Sequence, residues 1–463
     1  MSFQAEAKIR KSHFTTANPD KQEIQEMETT LSIPRELQVT RSTLDNGLKV
    51  LIREIPNAPV AGCWTIYRVG SRNEKPGLTG ISHWVEHMLF KGGGKLAKGD
   101  IGRLVSRVGG EYNGFTSKDF TAYYEILPAD HIETGLLIES ERMMNAAFDP
   151  REVESERSVV VSEREGNEND PEFQATEELF LTAFRYHPYR WSEGGTKPDL
   201  QRITRDDLFE HYRRYYAPGN AMLVVAGPFS PKKILPKIEE SFAPLSKTEN
   251  PPEPNIVEPA QAGERRVELR IPSEADYVKV AYHTPGFGNE DVYGLMMLDA
   301  VLSGVRLFAF GPGQTSGRSA RLYKALVEKK IATQASSEFF PTIDPSVFAL
   351  DLTVWDGVNI DKAEKLLFDE IERIKRTPPS RHELDRSLAQ IRSQYSYTFD
   401  GVARQGFVIG IFELVISFET ITKLVDKLSK VTADKISEIA RKYLTVENRT
   451  VCRTVGTRNS LGH

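Results

Sequence analysis

Cysteine is scarce in this sequence of 463 residues, and basic charge is not in excess. Cys63 and Cys452 lie nearly a chain length apart, which excludes a disulfide framework and a thiolate metal cluster. The 65 Asp and Glu residues outnumber the 60 Lys and Arg residues, so the formal charge is −5 and nucleic acid is not expected as the main partner. Any transition metal must therefore be held by histidine and carboxylate side chains.

Long apolar runs are also missing. No segment approaches the run of about 18 apolar residues that a membrane helix needs, and the start of the chain lacks the apolar core of a secretory signal. Acidic residues between positions 20 and 28 argue against an organelle transit peptide. These absences predict a cytoplasmic protein, with residues 1–35 forming a mobile N-terminal arm.

Proline is concentrated in one segment near the middle of the chain. Residues 247–264 contain four prolines among polar side chains, a composition that stays extended and buries little surface. This segment is predicted to link two halves, residues 36–246 and residues 265–463.

Each half opens with two strand-like runs, a polar loop and a helix with apolar periodicity. These segments are residues 47–53, 61–69 and 81–90 in the first half, and residues 266–271, 278–282 and 295–302 in the second. Because strand pairs joined by turns precede grouped helices, the sequence predicts an α+β fold of two homologous halves. Each half is expected to be a largely antiparallel sheet with helices packed on one face.

The most informative feature is a pair of histidines in one predicted helix. His83, Glu86 and His87 fall within about 100° of the helix circumference, since successive residues rotate by about 100°. Ile81 and Val85 lie on the opposite side, where they can pack on a core. Two imidazoles four residues apart can ligate one zinc ion, and a free carboxylate beside them can take a proton from its water. The alternative is a solvated polar face, so the motif needs a third ligand.

A third ligand is available in an acidic segment downstream. Glu156 and Glu163 are seven residues apart and share one face of a helix. Taken alone, such an acidic helix is more often solvated surface. Glu165 is also available, but it lies about 200° round the helix from Glu163, so only one of these two can face a metal.

Together these motifs resemble a known family. His-x-x-Glu-His at 83–87, followed about seventy residues later by Glu-Arg-x-Val-Val-x-x-Glu at 156–163, resembles the insulinase/pitrilysin family of zinc peptidases, the inverzincins. Similar phrases lie at 43–50, 109–117, 215–221 and 319–323. The pattern is similar to that of bacterial processing-peptidase-like members and of the catalytic subunit of mitochondrial processing peptidase.

The resemblance implies a zinc metalloendopeptidase with one Zn²⁺ per chain. It makes His83, His87 and Glu163 the zinc ligands and Glu86 the general base that activates a zinc-bound water. It places Glu156 behind the ligands, where its carboxylate would accept a ring N–H from a ligating histidine.

The resemblance also implies an edge strand beside the zinc, within residues 111–124. Substrate would add to that edge as an extra strand, bound by main-chain hydrogen bonds with little sequence selectivity. Asn113, Gly114, Phe115 and Thr116 are therefore expected to contact substrate. The alternative is an ordinary strand of the sheet.

The second half has no counterpart of the histidine pair. Its corresponding helix reads Leu-Met-Met-Leu-Asp at 295–299. The resemblance implies that this half closes over the first like the other shell of a clam, forming a chamber that admits only extended or small unfolded peptides. Residues 247–264 would then act as a hinge.

One departure from the family pattern points to a partner. Many members carry an Arg and a Tyr after the phrase at 319–323, and this pair stabilises the developing oxyanion. Here Val327 and Thr333 occupy those positions. The chain is therefore expected to be the zinc-bearing subunit of a dimer, either with a homologous subunit that supplies the Arg/Tyr pair or with a second copy. The competing interpretation is a non-catalytic member that acts as a structural or substrate-binding subunit.

Overall fold

The computed structural model describes residues 38–305 and 317–457. The arm predicted at 1–35 lies outside these residues. Two β-sheets flanked by helices form the described structure, so the predicted α+β fold class is confirmed. None of the described helices is both long and apolar enough to cross a membrane.

The first sheet has six strands in the described residues. They are β1 (Thr40–Thr43), β2 (Lys49–Glu54), β3 (Val60–Tyr67), β4 (Glu111–Thr116), β5 (Thr121–Pro128) and β6 (Ala221–Gly227). Their order across the sheet is β1-β2-β6-β3-β5-β4, which leaves β4 at one edge. Among these pairs only β2 and β6 run parallel.

The second sheet has five strands in the described residues. They are β7 (Arg265–Ile271), β8 (Tyr277–Thr284), β9 (Ala332–Glu338), β10 (Ser346–Val354) and β11 (Arg449–Gly456). Their order is β7-β11-β8-β10-β9, and only β7 and β11 run parallel. With β1 set aside, this is the order and direction of the first sheet repeated, as the duplicated sequence pattern predicts.

Helices surround both sheets. In the first half of the chain they are α1 (Ile81–Met88), α2 (Asp100–Arg107), α3 (Ile132–Asn145), α4 (Pro150–Glu168), α5 (Pro171–Ala183), α6 (Lys197–Leu200), α7 (Arg205–Tyr215) and α8 (Pro231–Phe242). In the second half they are α9 (Asp291–Ser303), α10 (Ile360–Arg376), α11 (Arg381–Thr398), α12 (Val402–Val415), α13 (Glu419–Ser429) and α14 (Ala433–Tyr443).

The two halves exchange one helix each. α5 packs against β7, β8 and β11 of the second sheet, with Leu179 in a core that includes Ala281. α12 packs against β3 and β6 of the first sheet, on the face opposite α1. Gly406 allows this close approach, because a Cβ there would lie 2.8 Å from the Trp64 ring. Both faces of the first sheet are consequently covered, which explains why β6 is apolar and buried at every position.

The proline-rich segment 247–264 is tied to the first half. Its Glu253 forms an ion pair with Arg72 at 2.9 Å, and Arg72 is itself buried. The carboxylate of Glu258 accepts hydrogen bonds from three consecutive backbone N–H groups, those of residues 185–187. A hinge motion at this segment would have to break these contacts and separate the exchanged helices as well.

Candidate metal centre

The helix α1 carries the histidine pair, and its start is held by an acidic side chain from outside the helix. Gly80 precedes α1 with a left-handed φ of 86° and offers no capping side chain. Glu74 supplies the cap instead, accepting hydrogen bonds from the backbone N–H groups of Gly80 at 2.8 Å and Ser82 at 2.9 Å. Burial raises the pKa of this carboxyl to about 7.

The predicted division of α1 into two faces is confirmed. Ile81 and Val85 are buried in the core of the first sheet. The side chains of His83 and His87 are 19% and 21% exposed on the other face. Glu86 lies on that face too, but it is 94% buried, since its relative exposure is 6%.

Helix α4 brings Glu163, the predicted third ligand, to this face. The Nε2 atoms of His83 and His87 are 3.2 Å apart, and each faces one oxygen of Glu163, at 3.9 Å and 3.6 Å respectively. Zinc bonds of about 2.0–2.1 Å at tetrahedral angles would separate ligand atoms by about 3.3 Å. These three side chains therefore fit a tetrahedral zinc ion with one position open. Glu165 points elsewhere and pairs with Lys197.

The burial of His83 and the hydrogen bond of His87 suit a metal. Burial, together with the neighbouring His87, lowers the pKa of His83 to about 4, so its ring is neutral at pH 7. His87 Nδ1 lies 2.9 Å from Oε1 of Glu156. Because a carboxylate only accepts, the ring proton is on Nδ1 and the Nε2 lone pair faces the metal position. Burial acts to raise the pKa of Glu156, but hydrogen bonds from Lys91 and His87 outweigh it, and this pKa is lowered.

The carboxyl of Glu86 is held by the edge strand β4. Thr116 Oγ1 donates a hydrogen bond of 3.0 Å to Glu86 Oε2 and lies 3.4 Å from Thr121 Oγ1. Burial raises the pKa of Glu86 to about 7, close to the pH at which a general base works best. Thr116 is predicted as a substrate contact, and its hydroxyl donates its proton to Glu86.

The four predicted substrate contacts lie on both faces of β4. Gly114 and Thr116 face α1, and a Cβ at Gly114 would lie 3.0 Å from the Phe90 ring. Phe115 faces the other side, where its ring centroid lies 5.6 Å from that of Phe407 in α12. Asn113 is exposed, and its side-chain oxygen accepts the Gly114 N–H. β4 pairs with β5 alone among the described strands, so its other edge is open.

In the described residues, this set of three side chains is the one group of histidines, cysteines and acids arranged to hold a metal. The corresponding helix α9 of the second half packs Asp299 and Ser303 against Ser337 of β9 instead. The role of Glu74 as the cap of α1 was not predicted. The signal available in the sequence was Gly80, which cannot cap a helix with its own side chain.

Comparisons with known proteins find related sequences over most of the chain. A sequence profile described as Insulinase (Peptidase family M16) matches residues 49–196, and one described as Peptidase M16 inactive domain matches residues 202–391. The zinc protease PqqE of Helicobacter pylori is 29% identical over 405 residues, covering 86% of this chain and 88% of that protein. The mitochondrial-processing peptidase subunit beta of Lentinula edodes is 24% identical over 413 residues, covering 87% of both.

A solved structure shares the fold. The crystal structure of a protease from Helicobacter pylori matches with a TM-score of 0.85 at 26% sequence identity. The match covers 90% of this chain and 99% of that one, so the similarity extends over most of the fold.

Proposed function

The chain belongs to the insulinase family, peptidase family M16, and we propose that it is a zinc-dependent endopeptidase acting on extended or unfolded peptides. The observation that supports this most is the convergence of ligand atoms from His83, His87 and Glu163 next to the buried carboxyl of Glu86. Relatives named as zinc proteases support the same activity.

In the proposed reaction Glu86 moves one proton. His83, His87 and Glu163 would hold the zinc ion, which would supply a Lewis acid for the water and the peptide carbonyl. Glu86 accepts the proton of the attacking water as the oxygen adds to the carbonyl carbon, and it donates that proton to the amine as the C–N bond breaks. Thr116 donates to Oε2 of Glu86, and Oε1, which lacks this contact, is the proposed site of the transferred proton.

The open edge of β4 is the proposed substrate site. Main-chain groups of residues 111–116 would pair with an extended peptide, which gives affinity without a strict sequence requirement. Side chains of the peptide would alternate between the zinc face, beside Gly114, and the opposite face, beside Asn113 and Phe115. An extended or unfolded segment meets this requirement, because a folded helix cannot offer its backbone to an edge strand.

A second chain is the proposed source of the wall that closes over the site. The two halves of this chain are held together by their exchanged helices, so a chamber that opens and closes needs another subunit. Val327 has no donor, and the hydroxyl of Thr333 donates to Thr353 O at 3.3 Å. The groups that stabilise the oxyanion are therefore expected from a homologous partner with an Arg/Tyr pair, or from a second copy.

Both cysteines are compatible with a reducing location. Cys63 and Cys452 are free and buried, and they lie in the cores of different sheets. A chain without a disulfide does not depend on an oxidising compartment. The proposed location is the cytoplasm.

The test is cleavage-site mapping on unfolded peptides with the purified, zinc-loaded chain, alone and mixed with a homologous subunit. Glu86→Gln is expected to keep its zinc and lose cleavage by roughly 10²–10⁴-fold. Unchanged cleavage by this variant would refute the role of Glu86. Zinc binding without cleavage in either protein, alone or mixed, would favour the structural or substrate-binding alternative.

A further inference from the structure

Glu156 divides its carboxylate between two partners. Oε1 accepts the Nδ1 proton of His87 at 2.9 Å, and Oε2 forms an ion pair with the ammonium of Lys91. The Glu156 side chain is 93% buried, since its relative exposure is 7%, and water cannot replace either partner freely. Lys91 is therefore the group that balances the charge of this buried carboxylate.

Lys91 reaches this position because it lies four residues after His87. The chain makes another turn beyond α1, with the Lys91 N–H donating to Met88 O at 3.0 Å. Residues four apart share a face of a helical segment, so the ammonium and the imidazole approach Glu156 from the same side. Helix α4 presents Glu156 to both of them, and two turns later it presents Glu163 to the metal position.

A carboxylate with only one of its oxygens engaged can rotate about its last torsion. The ring of His87 would then lose its acceptor, and either nitrogen of the neutral imidazole could carry the proton. An ion pair on Oε2 fixes the plane of the carboxylate and keeps Oε1 directed at His87 Nδ1. The Nε2 lone pair of His87 consequently stays directed at His83 and Glu163.

We propose that Lys91 is a positioning residue for the zinc centre, acting through Glu156 to fix the tautomer and orientation of His87. This inference rests on the proposed function, since it concerns the same three ligands. It assigns a role to a side chain that touches neither the metal position nor the substrate edge.

The chain contains a matched control in Lys98. Lys98 pairs with Glu152 at 2.7 Å and so joins the same two segments, the stretch after α1 and the helix α4. The Lys98 side chain is 61% exposed and that of Glu152 26%, whereas Lys91 and Glu156 are 25% and 7% exposed. Exposed pairs of this kind contribute little, about 0–1 kcal/mol.

The experiment is a zinc dissociation constant measured by competition with a chelator at one fixed pH. Lys91→Met keeps the length of the side chain and removes its charge, and it is expected to raise the Kd about tenfold. Lys98→Met is expected to leave the Kd within about twofold. Lys91→Arg, which can still pair with Oε2, is expected to restore most of the wild-type affinity.

The direction of the change in the zinc Kd distinguishes a positioning role of Lys91 from a direct electrostatic effect of its charge. Removing a positive charge near a cation site would by itself strengthen zinc binding, since like charges repel. A Kd that is unchanged or lower in Lys91→Met would therefore overturn the inference. In a Glu156→Gln background Lys91→Met is expected to add no further loss, and a fully additive loss would also contradict it.

Two further measurements separate a loss of zinc affinity from a loss of folding and from a failure of the proposed function. Thermal unfolding of the zinc-free proteins is expected to show both variants folded at the temperature of the zinc titration, so that a loss of affinity is not a loss of folding. The midpoint is expected to be lower for Lys91→Met than for Lys98→Met, because Lys91→Met leaves the buried carboxylate of Glu156 without its cation. If the wild-type chain binds no zinc, the proposed function fails and this inference fails with it. If the wild type binds zinc and His87→Ala does not, an unaffected Lys91→Met refutes the positioning role alone.

Discussion

Helices α1 and α9 occupy equivalent places in the two sheets, yet only α1 carries a pair of histidines. α1 follows β3, and α9 follows β8, which holds the same place in the second sheet. Each helix carries an acid that accepts a hydrogen bond from a hydroxyl of an edge strand. In the first half Thr116 of β4 donates to Glu86 at 3.0 Å. In the second half Ser337 of β9 donates to Asp299 at 2.5 Å.

The difference lies in what surrounds the acid. α9 is buried at 11 of its 13 residues, so it presents no face to solvent. α1 keeps His83 and His87 partly exposed, and α4 lies close enough to add Glu163. An acid on the helix that is hydrogen-bonded to a hydroxyl of the edge strand is therefore a structural feature that both halves share. A zinc centre needs the same pair plus a partly exposed helix face with two histidines.

The largest expected difference between the halves concerns their buried charges. Arg142 forms ion pairs with Glu125, at 3.4 Å, and with Glu139, and all three side chains are fully buried. Arg142→Met leaves two carboxyls without a cation and is expected to cost about 3–5 kcal/mol of unfolding free energy.

Lys279 of β8 in the second half also pairs with two carboxylates, but at a different place in the fold. It pairs with Asp351 at 2.5 Å and Glu172 at 3.2 Å, and these carboxylates are 23% and 47% exposed. Water can solvate them after Lys279→Met, so we expect a cost of only about 1 kcal/mol. Urea unfolding of both variants checks this, and equal costs would show that burial does not separate the two clusters.

The next effect is on zinc itself. Glu163→Gln replaces one of the three ligands with a weaker donor. Zinc sites with four protein ligands are worth about 10–16 kcal/mol, so one ligand corresponds to roughly 10²–10³-fold in Kd. Asp299→Asn in α9 is the control and is expected to leave zinc affinity unchanged. Equal losses in the two variants, measured by chelator competition, would contradict the assignment of the metal to the first half.

A smaller effect is predicted for the pH dependence of the unfolding free energy, to which a buried histidine of the first half contributes. His211 in α7 is buried against Ser82 of α1, with Nε2 at 3.2 Å from Oγ, and burial lowers its pKa to about 3. Below its ordinary value of about 6.5 the unfolded chain binds a proton that the folded chain does not. This contribution to stability is therefore present above pH 6.5 and is lost as pH falls toward 3.

The variant His211→Gln removes this titration. For the zinc-free protein, the loss of unfolding free energy between pH 7 and pH 5 is expected to be about 2 kcal/mol smaller in His211→Gln than in the wild type. Denaturant unfolding at both pH values measures it. Parallel losses in the two proteins would show that His211 accepts a proton in the folded state.

The smallest predicted effect concerns the hydroxyl contacts of Thr116 with Glu86 and of Ser337 with Asp299. Thr116→Val removes the donor to Glu86 and is expected to lower kcat about tenfold, equivalent to about 1.4 kcal/mol, with KM little changed. Thr116→Ser keeps the hydroxyl and is expected to retain activity. Ser337→Ala removes the contact to Asp299 in the second half and is expected to leave kcat unchanged. A rise in KM alone for Thr116→Val would indicate a substrate contact instead.

Local patterns account for most of the fold that could be predicted. The apolar periodicity of residues 81–90 and 295–302 predicts α1 and α9. The Asn46-Gly47 turn predicts the start of β2. The exchange of α5 and α12 could not be predicted, because an apolar helix shows that it is buried but not which sheet covers it. The sequence of α12 is apolar on nearly every side, which was consistent with either sheet.

The same limit applies to the metal centre. His83, Glu86 and His87 share one helical turn, so their convergence follows from spacing alone, and the family resemblance selected Glu163 over Glu165. The contacts of Lys91 and Thr116 cross between separate segments, and nothing in their local sequence predicts those partners. Lys91 was nevertheless detectable as a basic residue four positions after His87.

The most direct test of the account is anomalous diffraction at the zinc edge from crystals of the zinc-loaded chain. The account predicts one peak per chain, bounded by Nε2 of His83, Nε2 of His87 and the carboxylate of Glu163. A peak at any other group of residues, or no peak at saturating zinc, would contradict the assignment of a zinc centre to the first half.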